Sequence, residues 1–225
     1  RPVDGVPDPH WHVHCYVFNQ TWDGEEQRWK AGQFGNLKRD APYFEGRFHV
    51  RLARKLQDLG LEVARTRTGW DIVGLDSDLL DKFSRRTQEI EAEARRKGIT
   101  DANAKSELGA KTRSRKQKDL SMSDLRSHWL ARMTDDERTS FYRVADRIGG
   151  EPLADRPDLA KQAVELAEDH CFERQSVVPE RALLAESLKR GVGRSTIAAV
   201  ERAFGERGFL TRERRGRRMV TTPTV

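Results

Sequence analysis

The stretch His10-Trp11-His12-Val13-His14-Cys15-Tyr16-Val17-Phe18 decides how the beginning of this chain is interpreted. It consists of histidine, aromatic and β-branched residues with one cysteine, a composition typical of strands. A segment rich in proline, aspartate and glycine precedes it, and Asn19 follows it. These flanking turn residues predict one strand over residues 10–18.

Alternation along this strand separates two kinds of side chain. Residues two apart point to the same face and lie about 7 Å apart along the backbone, which places the three histidines together. The other face carries Trp11, Val13, Cys15 and Val17 and is suited to a core. Neutral imidazoles on one face can bind a divalent cation such as Zn, Mn or Ni, or Mg with weaker affinity for nitrogen. The alternative is a row of solvated histidines without a ligand.

Composition limits the class of protein. Charged residues make up 35% of the 225 residues and hydrophobic ones 36%, a balance that favours short amphipathic elements over a large buried sheet. No apolar run approaches the roughly 18 residues needed to span a bilayer, so we expect no membrane insertion. The two cysteines are far apart in sequence, which excludes a disulfide framework and a zinc ribbon and fits a reducing cytosol.

Periodicity predicts mostly helices after the strand. A helix over residues 44–59 has Phe44, Phe48 and Leu52 on its predicted inner face, and a hairpin over 61–73 follows. Residues 95–120 are basic and poor in apolar residues, which indicates a linker. Further helices then lead to two more, one that begins at Pro179 and ends at Gly191 and Gly193 and one from Ser195 to near Gly208, followed by a strand, basic turn and strand near the end. That order is typical of a winged helix.

Positive charge is concentrated in two places. The whole chain has a net charge of +6, yet residues 95–118 alone hold nine Lys or Arg against two acidic residues. Residues 212–218 hold five Arg against one Glu. Clusters of this kind attract a polyanion through the release of its counterions, so both predict contact with nucleic acid. The alternative is that each cluster is merely a solvated surface.

Several motifs resemble the TrwC/TraI-type (MobF) conjugative relaxases, which are HUH endonucleases. The segment Asp8–His14 is similar to their third motif, where Asp-Pro-x-Leu-His-Thr-His is typical, and His12-Val13-His14 is its His-hydrophobe-His element. Further matches follow in the family's order and extend the resemblance over essentially the whole chain: Asn19, Asp23-Gly24, Tyr43-Phe44, Leu59-Gly60, Phe83-Ser84-Arg85-Arg86, Lys111-Thr112-Arg113, Trp129 and Phe172 to Val178.

The resemblance implies an enzyme that nicks and rejoins one strand of plasmid DNA at an origin of transfer. In that family a tyrosine attacks a backbone phosphate polarised by a divalent metal on three histidines, which leaves a 5′-phosphotyrosine. The implied partners are single-stranded DNA and proteins of the conjugation machinery, in a bacterial cytoplasm. The family continues into a RecD-like helicase. We expect ATP binding only there, because this chain has no Gly-x-x-x-x-Gly-Lys-Ser/Thr sequence.

Carried over by position, the metal ligands are His12 and His14. His10 occupies a place that is usually not a ligand in the family, so it ranks below them although it shares their face. The third ligand and the catalytic tyrosine of the family match no residue here, and we expect them upstream. The chain would then be a fragment without the nucleophile, and its three tyrosines are expected to pack in the core: Tyr16, Tyr43 and Tyr142.

We therefore predict an α+β fold: a partial HUH palm, meaning an antiparallel sheet with helices, followed by a helical and winged-helix unit. Residues 1–94 would be the C-terminal half of the relaxase domain, 95–120 a basic linker, and 121–225 an accessory region preceding the helicase. The predicted DNA-binding residues are Arg85, Arg86, Lys111, Arg113, Arg115, Lys116, Arg214, Arg215, Arg217 and Arg218. The rival hypothesis is a non-enzymatic winged-helix DNA-binding module in which the histidines are incidental.

Overall fold

The structure is a computed structural model that describes residues 6–10, 12, 15–32, 34–67, 69–112 and 119–223. The chain forms two compact units, each built from two separate pieces of sequence. The first unit comprises Arg1–Cys15 and Gly74–Asp146, and the second comprises Tyr16–Val73 and Arg147–Val225. Helices and short antiparallel sheets occur together, which confirms the predicted α+β class. The functional boundaries predicted after residues 94 and 120 coincide with no edge of these units and stay a prediction.

The first piece of the second unit consists of two hairpins with helices between them. Strand β1 (Thr21–Asp23) pairs with β2 (Arg28–Lys30), and the opposed rings of Trp22 and Trp29 meet edge to face. Helices α1 (Gly35–Arg39) and α2 (Ala41–Asp58) follow, and β3 (Val63–Arg65) then pairs with β4 (Trp70–Ile72). The helix predicted over 44–59 and the second hairpin are thereby confirmed.

The first unit is helical in most of its described part. Its elements are α3 (Ser77–Lys82), α4 (Arg85–Arg96), α5 (Ala102–Lys111), α6 (Met122–Ala131) and α7 (Asp135–Ala145). Side chains cap the starts of four of them, which satisfies amide groups that lack a partner within the helix. Thr134 and Glu137 form a capping box at α7, as their spacing predicts.

The basic stretch at residues 95–120 is not an irregular linker where the structure describes it. Arg95 and Arg96 end α4, and α5 accounts for residues 102–111. The two helices pack together, and Lys105 bridges back to Glu91 at 2.8 Å. Local ion pairs and the cap at Asp101 stabilise a helix that its few apolar residues did not predict.

The strand predicted for residues 10–18 is wrong for the residues described there. His10, His12 and Cys15–Phe18 belong to no strand, while Trp11, Val13 and His14 lie outside the described residues. A strand needs hydrogen bonds to a neighbouring strand, and none of the three described sheets includes this segment. Tyr16 is consequently 87% exposed instead of packed in a core.

The remainder of the second unit confirms the winged helix. Its order is α8 (Asp158–Phe172), β5 (Val178–Pro179), α9 (Glu180–Gly191), α10 (Ile197–Glu206), β6 (Leu210–Arg214) and β7 (Arg217–Thr221). The three strands form one antiparallel sheet in the order β5-β7-β6. Apolar side chains of these elements form its core, among them Val164, Leu183, Leu188, Val200 and Val220.

Helix α2 packs on α9 through a different face from the one predicted. Phe48 is 59% exposed, whereas Val50 is 2% exposed and Ala53 is fully buried. A Cβ at Gly46 would lie 3.2 Å from Cβ of Leu188, so the two helices approach too closely for a larger residue there. Close approach through small residues thus overrides the hydrophobicity of the phenylalanines.

The chain is polar throughout, with a mean hydropathy of −0.81. Among the described helices, none combines the length and the apolar character that crossing a bilayer requires.

Candidate functional site

Two of the three histidines predicted as metal ligands lie side by side in the first unit. The ring centroids of His10 and His12 are 5.0 Å apart, and the ring planes are tilted by 30°. Both side chains are exposed. His14, a principal predicted ligand, lies outside the described residues. The predicted proximity of neighbouring imidazoles therefore holds for His10 and His12, although neither residue belongs to a strand.

A backbone contact determines which tautomer His12 adopts. Its Nδ1 lies 2.9 Å from the carbonyl oxygen of His10. A carbonyl oxygen only accepts hydrogen bonds, so in the neutral ring the proton sits on Nδ1 and the lone pair on Nε2. Histidine ligands commonly donate one ring N–H to an oxygen and bind metal through the other nitrogen. His12 is thus in the form suited to a ligand.

The backbone before the histidines is held by an ionic cluster centred on Asp8. The Asp8 carboxylate accepts hydrogen bonds from Nε of Arg85 at 2.9 Å, from the Arg85 backbone N–H at 3.1 Å, and from Nη1 of Arg132 at 2.6 Å. The Asp8 side chain is 9% exposed. Arg85 begins α4 and Arg132 immediately follows α6, so two separate helices fix one carboxylate.

Further contacts tie the same backbone to these helices. Nη2 of Arg85 donates to the carbonyl oxygen of Val6 at 2.8 Å, and the indole N–H of Trp129 donates to that of Pro7 at 2.7 Å. The guanidinium of Arg132 also stacks over the ring of Phe83, 4.4 Å from its centroid. Residues 6–8 are therefore fixed through both backbone and side chain, directly before the histidine pair.

The environment of Asp8 keeps it ionised at neutral pH. Burial raises the pKa of the Asp8 carboxyl group, but the hydrogen bonds from Arg85 and Arg132 lower it by more, so its pKa lies below the usual 3.8. Both carboxylate oxygens already accept hydrogen bonds from the protein. Asp8 consequently anchors the segment through its charge.

The donors present fit a divalent cation. Two neutral imidazoles at this separation suit Mn, Ni or Zn, and Mg with weaker affinity for nitrogen. Among the residues that the structure describes, no three His, Cys, Asp or Glu side chains gather into one group able to hold a metal. His10 and His12 would therefore supply two ligands, and the remaining ones must come from elsewhere.

The predicted DNA-binding residues of the first unit differ in how far contacts within the protein already occupy them. Arg85 holds Asp8, and Arg86 donates to Glu89, to the Gly109 carbonyl and to Thr112. Lys111 is exposed, with only a long 3.8 Å ion pair to Glu107. Arg113, Arg115 and Lys116 lie outside the described residues. DNA binding by this set stays a prediction.

The predicted DNA-binding residues of the second unit lie at the end of the winged helix. Arg214, Arg215 and Arg217 are exposed around the turn between β6 and β7. Arg218 is turned to Glu180 of α9, with Nε 2.9 Å from the carboxylate. Their role in DNA binding likewise stays a prediction.

Other titratable and aromatic residues take structural or peripheral positions. His49 lies beside Trp70, whose indole N–H donates to its Nδ1 at 3.2 Å. The Tyr43 hydroxyl donates to Glu201 and accepts from Arg47, as part of the helix packing. Tyr142 is 49% exposed, so the expectation of core packing fails there too.

The sequence alone predicts neither the contact of Arg132 nor the anchoring role of Asp8. Asp8 attracts attention only as part of a motif, and its arginine partners lie 77 and 124 positions away. No periodicity connects residues at that separation. The one available signal is a carboxylate next to a proline and close to three histidines, which marks a residue of interest without naming its contacts.

Comparison with protein families finds a match to one of them. Residues 1–135 match the family model described as TrwC relaxase. No curated protein and no solved structure matches the chain. The matched range covers more than half of the chain and contains the histidine pair, Asp8 and both of its arginine partners. The winged helix lies beyond it.

Proposed function

This chain belongs to the TrwC relaxase family, and on that premise we propose that its histidine segment binds the divalent cation of an enzyme that nicks and rejoins one DNA strand at an origin of transfer. A conjugative relaxase role follows from the family itself. The proposal adds His12 and His14 as ligands, with His10 as a lower-ranked third. It is carried by the His10–His12 ring pair on a backbone anchored through Asp8.

The expected chemistry is a transesterification. A tyrosine oxygen bonds to phosphorus, the bond to the 3′ oxygen breaks, and the resulting 5′-phosphotyrosine permits later rejoining. A bound divalent cation would polarise the phosphate and stabilise its developing charge. The residues of this chain prepare that site: Arg85 and Arg132 fix Asp8, and the His10 carbonyl orients the ring of His12.

The proposed substrate is single-stranded DNA in a bacterial cytoplasm, handed on to proteins of the conjugation machinery. We expect the chain alone to bind this strand without cutting it, because none of its tyrosines matches the family's nucleophile. Incubation with single-stranded oligonucleotides and Mn²⁺ should give no covalent adduct on a denaturing gel. An adduct that disappears in Tyr16→Phe would contradict this expectation and assign the attack to the exposed Tyr16.

Metal titration tests the ligand assignment. Calorimetry with Mn²⁺ and Ni²⁺ should show one site in the wild type and no tight site in the double variant His12→Ala with His14→Ala. The control removes two histidines outside the segment, His128→Ala with His170→Ala, which are both exposed. The control should bind metal like the wild type.

The same titration decides between the two functional hypotheses. If the double variant retains the wild-type dissociation constant, or if the control loses affinity equally, the histidines are incidental. The chain would then be a winged-helix DNA-binding module without a metal centre. Circular dichroism of each variant should remain unchanged, so that unfolding does not imitate the loss of a ligand.

A further inference from the structure

The hairpin β6–β7, here called the wing (residues 210–221), has two different faces. Val220 is 1% exposed and defines the inner face, which packs on the winged-helix core. Arg212 is paired with Met219 and Arg214 with Arg217, so all four lie on the opposite, outer face. Glu213, the wing's single acidic residue, belongs to the inner face. The outer face is therefore cationic without an anion.

The arginines of the outer face and turn have no ion-pair partner in the part of the chain that the structure describes. Elsewhere in the same unit, Arg47 pairs with Glu201 and Arg207 with Glu168. Even Arg218, on the inner face, finds Glu180. Local acids thus neutralise some arginines of this unit, whereas four on the wing stay exposed: Arg212, Arg214, Arg215 and Arg217.

Two features of the wing oppose its stability. Arg214 and Arg217 are directly opposed across the hairpin, and like charges at such positions repel each other. Arg215 has φ of 51°, a left-handed conformation that glycine or asparagine adopts at lower energy. A neutral residue in place of Arg214 or Arg217 would relieve the repulsion, and glycine or asparagine in place of Arg215 would relieve the backbone strain. A polyanion bound to this face offsets the repulsion.

Helix α10, the counterpart of the recognition helix in DNA-binding winged helices, is poorly suited to DNA. Its Glu201 bonds to Arg47 and Tyr43 of α2, and its Glu206 pairs with Lys161. Ala199, Val200 and Ala203 are buried. Helix α10 itself carries one exposed arginine, Arg202, whereas the wing carries four unpaired ones in the described part of the chain.

We propose that the outer face of the wing binds the phosphate backbone of duplex DNA without reading its sequence. Residues 210–221 include no aromatic side chain on which an unpaired base could stack, which favours duplex over single strand. Guanidinium groups bind phosphate oxygens through paired N–H donors. This site goes beyond the proposed relaxase chemistry, since it lies outside the family match and needs no metal.

Fluorescence anisotropy with a labelled duplex of random sequence tests the proposal, in EDTA so that the histidine segment plays no part. The variant is Arg212→Gln with Arg214→Gln and Arg217→Gln. Each lost phosphate contact should reduce the slope of log K against log salt by about 0.9, and hence by about 2.7 for the triple variant. At low salt we expect at least about tenfold weaker binding.

The matched control removes the same charge elsewhere in the second unit: Arg51→Gln with Arg194→Gln and Arg202→Gln, all exposed. It includes one residue of α10 and one just before it, and it should bind the duplex almost like the wild type. The proposal is overturned if the control weakens duplex binding as much as the wing variant, if the wing variant binds the duplex normally, or if the wing variant loses as much affinity for a single strand of equal length as for the duplex. Because EDTA is present, each of these outcomes leaves the metal proposal standing.

Discussion

The substitution Asp8→Asn tests whether the anchor prepares the histidine segment. It keeps the size of the side chain and one acceptor oxygen but removes the charge that Arg85 and Arg132 share. Both guanidinium groups contact the Asp8 carboxylate, that of Arg85 at 2.7 Å and that of Arg132 at 2.6 Å. The change therefore removes a charge that both partly buried arginines contact.

The expected magnitude follows from the contacts. The side chains of Asp8, Arg85 and Arg132 are 9%, 17% and 21% exposed, so solvent screens them only in part. Hydrogen bonds to charged groups contribute about 1.5–3 kcal/mol each. With one acceptor retained, we expect a loss of about 2 kcal/mol of anchoring. If metal binding must then restore this anchoring, the affinity for the metal falls by about 30-fold. Mutations of residues that support metal ligands typically reduce metal affinity by a similar factor.

Calorimetry with Ni²⁺ measures this change directly. The control is Asp76→Asn in the same unit, because Asp76 caps α3 by accepting from the Asp78 amide and asparagine caps helices equally well. The control loses the same charge and should keep the wild-type affinity. The reasoning is refuted if Asp8→Asn binds Ni²⁺ as tightly as the wild type, or if Asp76→Asn weakens binding to the same extent.

Two further predictions concern stability in the second unit. Gly193 has φ of +70°, and a Cβ there would lie 2.7 Å from the Val63 carbonyl oxygen, so Gly193→Ala should lower the free energy of unfolding by about 1–3 kcal/mol in urea. The control is Gly205→Ala in α10, where the added Cβ meets no atom within 4 Å outside the neighbouring helix backbone. It should raise the free energy of unfolding by about 0.5–1 kcal/mol. Equal changes in the two variants would contradict the argument from backbone conformation. The hydrogen bond from Arg39 lowers the pKa of Asp40 below 3.8, with burial opposing and Arg181 adding to it. The unfolded state then binds the proton more tightly, so this contribution is full above about pH 4 and is lost as pH falls through the folded pKa. Asp40→Asn should have a thermal midpoint that changes less on acidification, and an unchanged pH profile would refute the assignment.

The winged helix is predictable because local signals fix each of its elements. Pro179 stands immediately before α9, and Gly193 lies just beyond its end with positive φ. The wing has an Arg-Gly turn between two short strands. Such signals act within a few residues, and the order of the elements then restricts the topology.

The buried face of α2 is not predictable from hydrophobicity alone. Periodicity locates the helix, but Phe44 and Phe48 remain 40% and 59% exposed. The packing surface is selected by Gly46, which permits the close approach of Leu188 from a helix more than 130 positions later. The gain from close packing belongs to the pair of helices, so one sequence window does not contain it.

The histidine segment shows that alternation alone does not predict a strand. Alternation predicts which side chains share a face, and His10 and His12 do lie together. Alternation does not supply the neighbouring strand whose hydrogen bonds make a segment part of a sheet. The segment is instead held by arginines from distant helices, through contacts that no local pattern encodes.

The two basic clusters show why a count of charges predicts nucleic-acid binding only in part. In the described portion of residues 95–118, Arg96 and Lys97 bind Glu93, and these contacts lower the Glu93 pKa to about 2. Lys105 binds Glu91 in the same way. The wing has a smaller excess of charge, but its outer face offers its arginines no carboxylate. At Arg96, Lys97 and Lys105 a phosphate must compete with an internal acid, whereas the exposed wing arginines have no carboxylate partner in the described part of the chain. We therefore expect a larger free energy of phosphate binding per arginine at the wing than at these three residues, although the wing has the smaller excess of charge.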